Sequence, residues 1–273
     1  MRPILLGIAG AAALAVTLIA ISSLSSQPAE ISQPPASSTA LAVSPASLQT
    51  TQELKATWRP LRNEPLDFYP DRIWMYAGPE TYLWGRGKLI GDLKAVLRKG
   101  HYETQVMTFD SLRTAPLRAV CWDQHTHVII FPPFAEYPDI HPIAKTDLKG
   151  YVSTGNNLVF LGGFATIGLL NEVFGFRLQA EVYQEGPFYR SPRYAPGTIF
   201  EGLPSRLGEA GKIYGVKLSS MPPGARSYYD TLGDSVVWSI RYDFGMITYI
   251  GSEELEPFHM GPWHKVLRAA VSI

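Results

Sequence analysis

Residues 156–176, NNLVFLGGFATIGLLNEVFGF, pass from an unbroken apolar run through two glycines into a segment with Ile167, Leu170, Val173 and Phe174 at helical spacing. An apolar run without alternation reads as a strand buried on both faces, and Gly175 is a natural stop for the helix that follows. A strand that turns directly into a helix through glycine is where many α/β proteins present a nucleophile or hold a phosphate. Here the turn carries Gly162, Gly163 and Phe164, with neither Cys nor Ser.

The same alternation recurs upstream. DRIWMYAG (71–78) reads as a strand and GKLIGDLKAVLRKG (87–100) as a helix ending at Gly100. YETQVMTFD (102–110) and HVIIFPPF (127–134) read as further strands, and a helix is expected from about Ile143 to Ser153. Buried strands separated by helices predict a mainly parallel sheet covered on both faces. The second half differs. IYGVKLSS, ARSYYDTL, SVVWSIRYD and GMITYIGSE are strand-like and separated by Pro-Gly and Gly-Asp turns, which predicts an antiparallel C-terminal extension before a last helix around Trp263–Val271.

This order resembles the class I glutamine amidotransferase-like superfamily over roughly residues 70–271. The resemblance is carried by Ala77-Gly78-Pro79 after the first strand, by DLKGYVSTGNNLVFLGG (147–163) and by FGMITYIGSEELEP (244–257). It implies a flavodoxin-like α/β three-layer sandwich. In enzymes of that group a Cys occupies the elbow after the fourth strand, and a His-x-Glu pair follows a late strand. Phe164, or at most Gly163, stands at the elbow position. Ser252-Glu253-Glu254 stands at the late strand, with His259 further on. The resemblance therefore implies an amidotransferase-like domain without its nucleophile, a pseudoenzyme.

Sites in open α/β sheets lie beyond the carboxyl ends of the strands. The expected ligand-binding residues are therefore Gly78, Glu80, Asp110, Glu136, Gly162, Gly163 and Thr166, and Glu253 and His259 are the candidates for acid/base catalysis. The plainer alternatives are that Asp110 and Thr166 cap turns, that the glutamates are solvated, and that Gly162-Gly163 is a tight turn rather than an anion site. Asp123, His125 and His127 alternate within CWDQHTH but precede a strand, on the wrong side of the sheet for catalysis, so no metal site is assigned. GRGKLIG (85–91) is not a phosphate loop, because Tyr82 and Leu89 stand where that motif needs Gly and Ser or Thr. No cofactor is expected. Cys121 is the single cysteine, which excludes an intramolecular disulfide and cysteine metal clusters, and it reads as a small packing residue.

The N-terminus reads separately. Residues 4–21 are 18 residues without charge, long enough for a signal anchor or transmembrane helix, assigned to 1–21. Residues 22–54 form a linker: 18 of the 29 residues 22–50 are Ser, Pro or Ala. Residues 55–273 form the amidotransferase-like α/β domain. Arg2 alone precedes the span, so the expectation is a single-pass membrane protein with an extracytoplasmic or lumenal domain, or else secretion after cleavage. The 24 basic and 24 acidic residues cancel, so nucleic acid is not an expected partner. The combined expectation is a membrane-tethered, non-catalytic domain that binds a protein partner or small ligand. The alternatives are a membrane-anchored hydrolase using carboxylates and His259, or a structural subunit of a membrane assembly.

Overall fold

The computed structural model describes residues 69–272 apart from 184–185, 209–210 and 257–258. Strands β1 (Arg72–Tyr76), β2 (Gln105–Phe109), β3 (Thr126–Phe131) and β4 (Asn157–Leu161) alternate with helices α1 (Gly87–Arg98), α2 (Thr114–Cys121), α3 (Pro142–Ser153) and α4 (Phe164–Phe174). There follow β5 (Ala180–Tyr183), β6 (Phe188–Arg190), β7 (Arg206–Leu207), β8 (Ile213–Lys217), β9 (Arg226–Thr231), β10 (Asp234–Tyr242), β11 (Gly245–Ile250) and helix α5 (Trp263–Val271).

The strands form one sheet in the order β2-β1-β3-β4-β11-β10-β9-β6-β7, with β8 pairing β10 and β5. The first five are mutually parallel, and β11 runs parallel to β4 but antiparallel to β10. This 2-1-3-4-5 order, with β11 as the fifth strand, is the flavodoxin-like arrangement. The fold is thus α/β, a mainly parallel sheet with an antiparallel extension, as the sequence predicts.

Alternation along each strand supplies two cores. In β4, Leu158 and Phe160 enter one cluster with Leu148, Ile167 and Leu170 from α3 and α4. Val159 and Leu161 enter the other, with Leu93 and Leu97 of α1 and Val266 and Leu267 of α5. Because neighbouring side chains point to opposite faces, a strand read as wholly apolar serves both layers. Each such burial contributes about 1.5–3 kcal/mol.

Five elements differ from the sequence reading. GMITYIGSE, grouped there with the antiparallel extension, ends the parallel half, because apolar pattern does not encode strand direction. Helix α2 was not anticipated: with eight residues it buries only Leu117, Val120 and Cys121, too few to show a period. Strands β5, β6 and β7 are also too short to show alternation.

The segments 4–21 and 22–54 lie outside the described residues. Among the described residues no helix is long and apolar enough to cross a membrane. The longest, α1 and α3, have 12 residues, where a span needs about 20. The expectation of a signal-anchored, single-pass, membrane-tethered protein is corrected to this extent: no described helix supplies a membrane span, and no membrane role enters the function proposed below.

Candidate functional site

In a sheet of this order the usual ligand crevice opens between the β1 and β3 loops. Here backbone closes it. The N–H groups of Ala135 and Glu136 donate to the Glu80 carbonyl at 2.6 and 3.2 Å, and Tyr82 N–H donates to Pro133 O at 3.3 Å. Thr81 pairs with Phe134 as an antiparallel bridge, and its hydroxyl donates to Gly78 O at 2.8 Å. Beneath them Tyr76 donates its phenol to the Glu80 carboxylate. Burial, then the hydrogen bond and charge of Glu80, then the charge of Asp110, push that phenol far up. The Tyr76 ring also fills the space a side chain at Gly78 would need. Gly78, Glu80, Asp110 and Glu136 are thus gathered around a closed joint between loops.

The next gap, between β4 and β11, holds a different arrangement. Gly162 has φ +31, and a Cβ there would stand 2.8 Å from Ser252 O and 3.0 Å from Glu253 Cα and N. Only glycine lets the two strand ends approach this closely. Gly162 N–H donates to Ile250 O at 2.8 Å, and Gly163, with φ +83, is the N-cap of α4.

Strand β8 completes the site. Tyr214 N–H donates to Gly251 O at 2.8 Å, Glu253 N–H donates to Lys212 O at 3.1 Å, and Ile213 bridges Ser252. These contacts bring Tyr214 to Glu253 from a distant part of the chain. Burial raises the Tyr82 phenol, and a hydrogen bond to Glu253 and its charge add to this. Burial also raises Tyr214, followed by the charges of Glu253 and Tyr82 and a hydrogen bond to Glu253. Buried Tyr249 is raised by burial and then by Tyr214 and Glu253. The phenols therefore stay protonated and can donate to the carboxylate. Phe164, first residue of α4, meets Tyr214 edge-on at 5.1 Å and 81°. Its ring is 58% exposed.

The remaining sequence candidates lie elsewhere in the network. Thr166 is buried and donates to Leu161 O at 2.9 Å, tying the first turn of α4 to the end of β4. Glu254 accepts the N–H groups of Leu255 and Glu256 at 3.0 and 2.9 Å. His259 Nδ1 pairs with Glu256 at 3.2 Å, both side chains more than half exposed. Cys121 is buried in the α2–α3 layer, and burial, then the charge of Asp147, pushes its thiol up to about 12. Asp123 sits at the opposite pole, accepting from Arg72 at 2.5 Å, Thr126 at 2.8 Å and Trp74 at 3.3 Å. Among the described residues no group of three or more His, Cys, Asp or Glu could hold a metal ion. A concavity of about 940 Å³ follows α1, lined by Arg86, Lys88, Asp92, Lys99 and Tyr102, and includes none of Glu253, Tyr214 or Phe164. It is open and mixed in charge, and we assign the site to the Glu253 cluster because polar and aromatic groups from four separate elements converge there.

Sequence reasoning did not nominate Tyr82, Tyr214 or the ring of Phe164 as candidate groups. Tyr214 had no detectable signal, since the pairing of β8 with residues 251–253 is a long-range event.

No family model matches the chain, and no curated protein matches it. Solved structures similar to it include a cytoplasmic protein from Salmonella typhimurium, 12% identical, TM-score 0.48, covering 73% of this chain and 95% of that one. A ThuA-like protein from Bacteroides uniformis is 11% identical, TM-score 0.49, covering 74% and 90%. A GMP synthase component from Thermoplasma acidophilum is 11% identical, TM-score 0.45, covering 73% and 92%. Such distant likenesses carry no argument for activity or location. The strand order and register establish the flavodoxin-like α/β fold.

Proposed function

We propose that this chain is an amidotransferase-like domain without thiol chemistry, and that it binds a small ligand non-covalently at the β4–β11 strand ends. The observation that carries this reading is the elbow itself. Phe164 occupies the first helical position with its exposed ring edge-on to Tyr214, and Gly162 lies against the Ser252–Glu253 backbone. An exposed ring beside a closely packed backbone turn can orient a ligand by stacking. Covalent acyl transfer needs an activated nucleophile with a base in reach, and Phe164 supplies none. The single thiol, Cys121, is buried in the helical layer with its ionisation suppressed.

The test is a ligand screen on the full-length chain by amide NMR, using neutral sugars, amino acids and organic amines as probes. Shifts should concentrate at Gly162, Gly163, Phe164 and Glu253. Shifts confined to the concavity along α1, or none at any residue, would overturn the assignment of the site.

A further inference from the structure

The concavity of about 940 Å³ along α1 is separate from the elbow, and its lining points to an occupant of its own. Lys88, Asp92, Ala95, Val96 and Lys99 form one stripe of α1 at helical spacing, beside the face that Leu89, Leu93 and Leu97 bury in the core. Small apolar Ala95 and Val96 sit in the middle of this stripe, with Lys88 and Arg86 at one end and Lys99 at the other. None of Arg86, Lys88, Asp92 and Lys99 belongs to an ion pair among the described residues. We propose that this groove is the docking face for the chain's own residues 63–68, NEPLDF, laid antiparallel to α1.

The place where the described chain begins sets the direction. The Tyr69 phenol donates to Leu97 O at 2.5 Å, in the last turn of α1. Its ring stacks on His101 at 3.9 Å and 4°, next to Tyr102, which lines the groove with Lys99. The residues before Tyr69 therefore start from the carboxyl end of α1. Pro65 disfavours helix and holds the residue before it extended. Six extended residues at about 3.1 Å each match the roughly 18 Å length of the twelve-residue helix. The charges also fit. Residues 63–68 carry Glu64 and Asp67 and no cation, and the groove has a cationic end on either side of its apolar middle. Laid antiparallel, Asp67 comes to Lys99, Leu66 to Ala95 and Val96, and Glu64 to the end formed by Lys88 and Arg86. The Lys99 end also has an open donor: Arg268 donates to Lys99 O, while its buried Nε has no hydrogen-bond partner among the described residues. Asp67 supplies a carboxylate there.

The experiment places a nitroxide spin label on Asn63→Cys in the full-length chain and reads the amide intensity lost relative to the reduced label. Cys121 is buried with its thiol pushed up to about 12, so it stays unlabelled at neutral pH. The expected loss is largest at Lys88 and Asp92, smaller at Lys99 and Tyr102, and absent at Gly168 in α4, which covers the opposite face of the sheet. Lys88→Glu, at an exposed position, should reduce the loss at Asp92 roughly twofold, and adding Glu64→Lys should recover it. A loss centred on Lys99 and Tyr102 that fades along α1 is the profile of a segment held only at Tyr69, and it overturns the proposal. An unchanged loss in Lys88→Glu overturns it as well. Loss that appears only when label and isotope are carried by different molecules gives the groove to a second copy and also overturns it, as does no loss along α1.

Discussion

Gly162 and Ser252 touch through backbone: a methyl group added at Gly162 would stand 2.8 Å from the Ser252 carbonyl oxygen, at a φ of +31. Gly162→Ala therefore carries two penalties, a strained backbone and a collision with atoms that cannot swing aside. The expected cost is about 1–3 kcal/mol, read as a lower Tm. Glu253 should also shift away from Tyr82 and Tyr214, which amide NMR would detect. Gly91→Ala is the matched control. It lies within α1 with nothing within 4 Å of the added carbon and should raise stability by about 0.5–1 kcal/mol. Equal effects at the two glycines would contradict the close approach of the β4 and β11 ends.

Asp123 sets the acid limit at the opposite pole. Burial pushes its carboxyl up, but hydrogen bonds from Arg72, Thr126, the His125 backbone and Trp74 outweigh it and hold the carboxyl well below the usual range. A depressed folded value gives stability that is present above the unfolded value, about 4, and is lost as pH falls towards the folded one. Asp123→Asn should lower neutral-pH stability by about 1–3 kcal/mol and flatten the fall in Tm below about pH 4. Ligand-induced shifts at Phe164 should be unchanged, since Asp123 lies at the amino ends of β1 and β3. An unchanged acid profile would show that these bonds contribute nothing.

The alkaline limit has the opposite sign. Burial pushes the Tyr229 phenol up to about 12 against the opposing charge of Arg190, and it pushes the Cys121 thiol up to about 12 as well. A raised folded value gives stability that is complete below the unfolded values, about 8.5 for Cys and 10 for Tyr, and is lost as pH rises through the folded ones. Tm should fall from about pH 9 upward, and Tyr229→Phe should flatten the part of that fall above about pH 10. A Tm that stays level to about pH 11 would contradict the burial of these groups.

Much of the fold was legible because the signals are local. Leu89, Leu93 and Leu97 mark one face of α1, and Leu158 to Leu161 mark a strand with no exposed side. Gly175, at φ +73, ends α4 where the sequence stops it. The direction of β11 was not legible, because its register with β4 is set by packing on both faces and leaves no pattern within the strand. The site divides the same way. Gly162, Gly163 and Glu253 follow strand ends and could be nominated from position alone. Tyr214 could not, because only the contact of β8 with residues 251–253 brings it there. His259 was nominated by its order in the sequence, and the chain pairs it instead with Glu256 three residues before it.

The most direct test of a non-covalent elbow compares thiol reactivity with glutamine hydrolysis on the full-length chain. Phe164→Cys places a thiol at the exposed elbow, whereas Cys121 is 5% exposed. Iodoacetamide at neutral pH should label the introduced cysteine at least about a hundredfold faster than Cys121, whose thiol ionises only near the top of the pH range. The native chain should release no ammonia from glutamine, with or without iodoacetamide, and Cys121→Ser should behave identically. Ammonia release by the native chain that is lost on alkylation and in Cys121→Ser would contradict the non-covalent site.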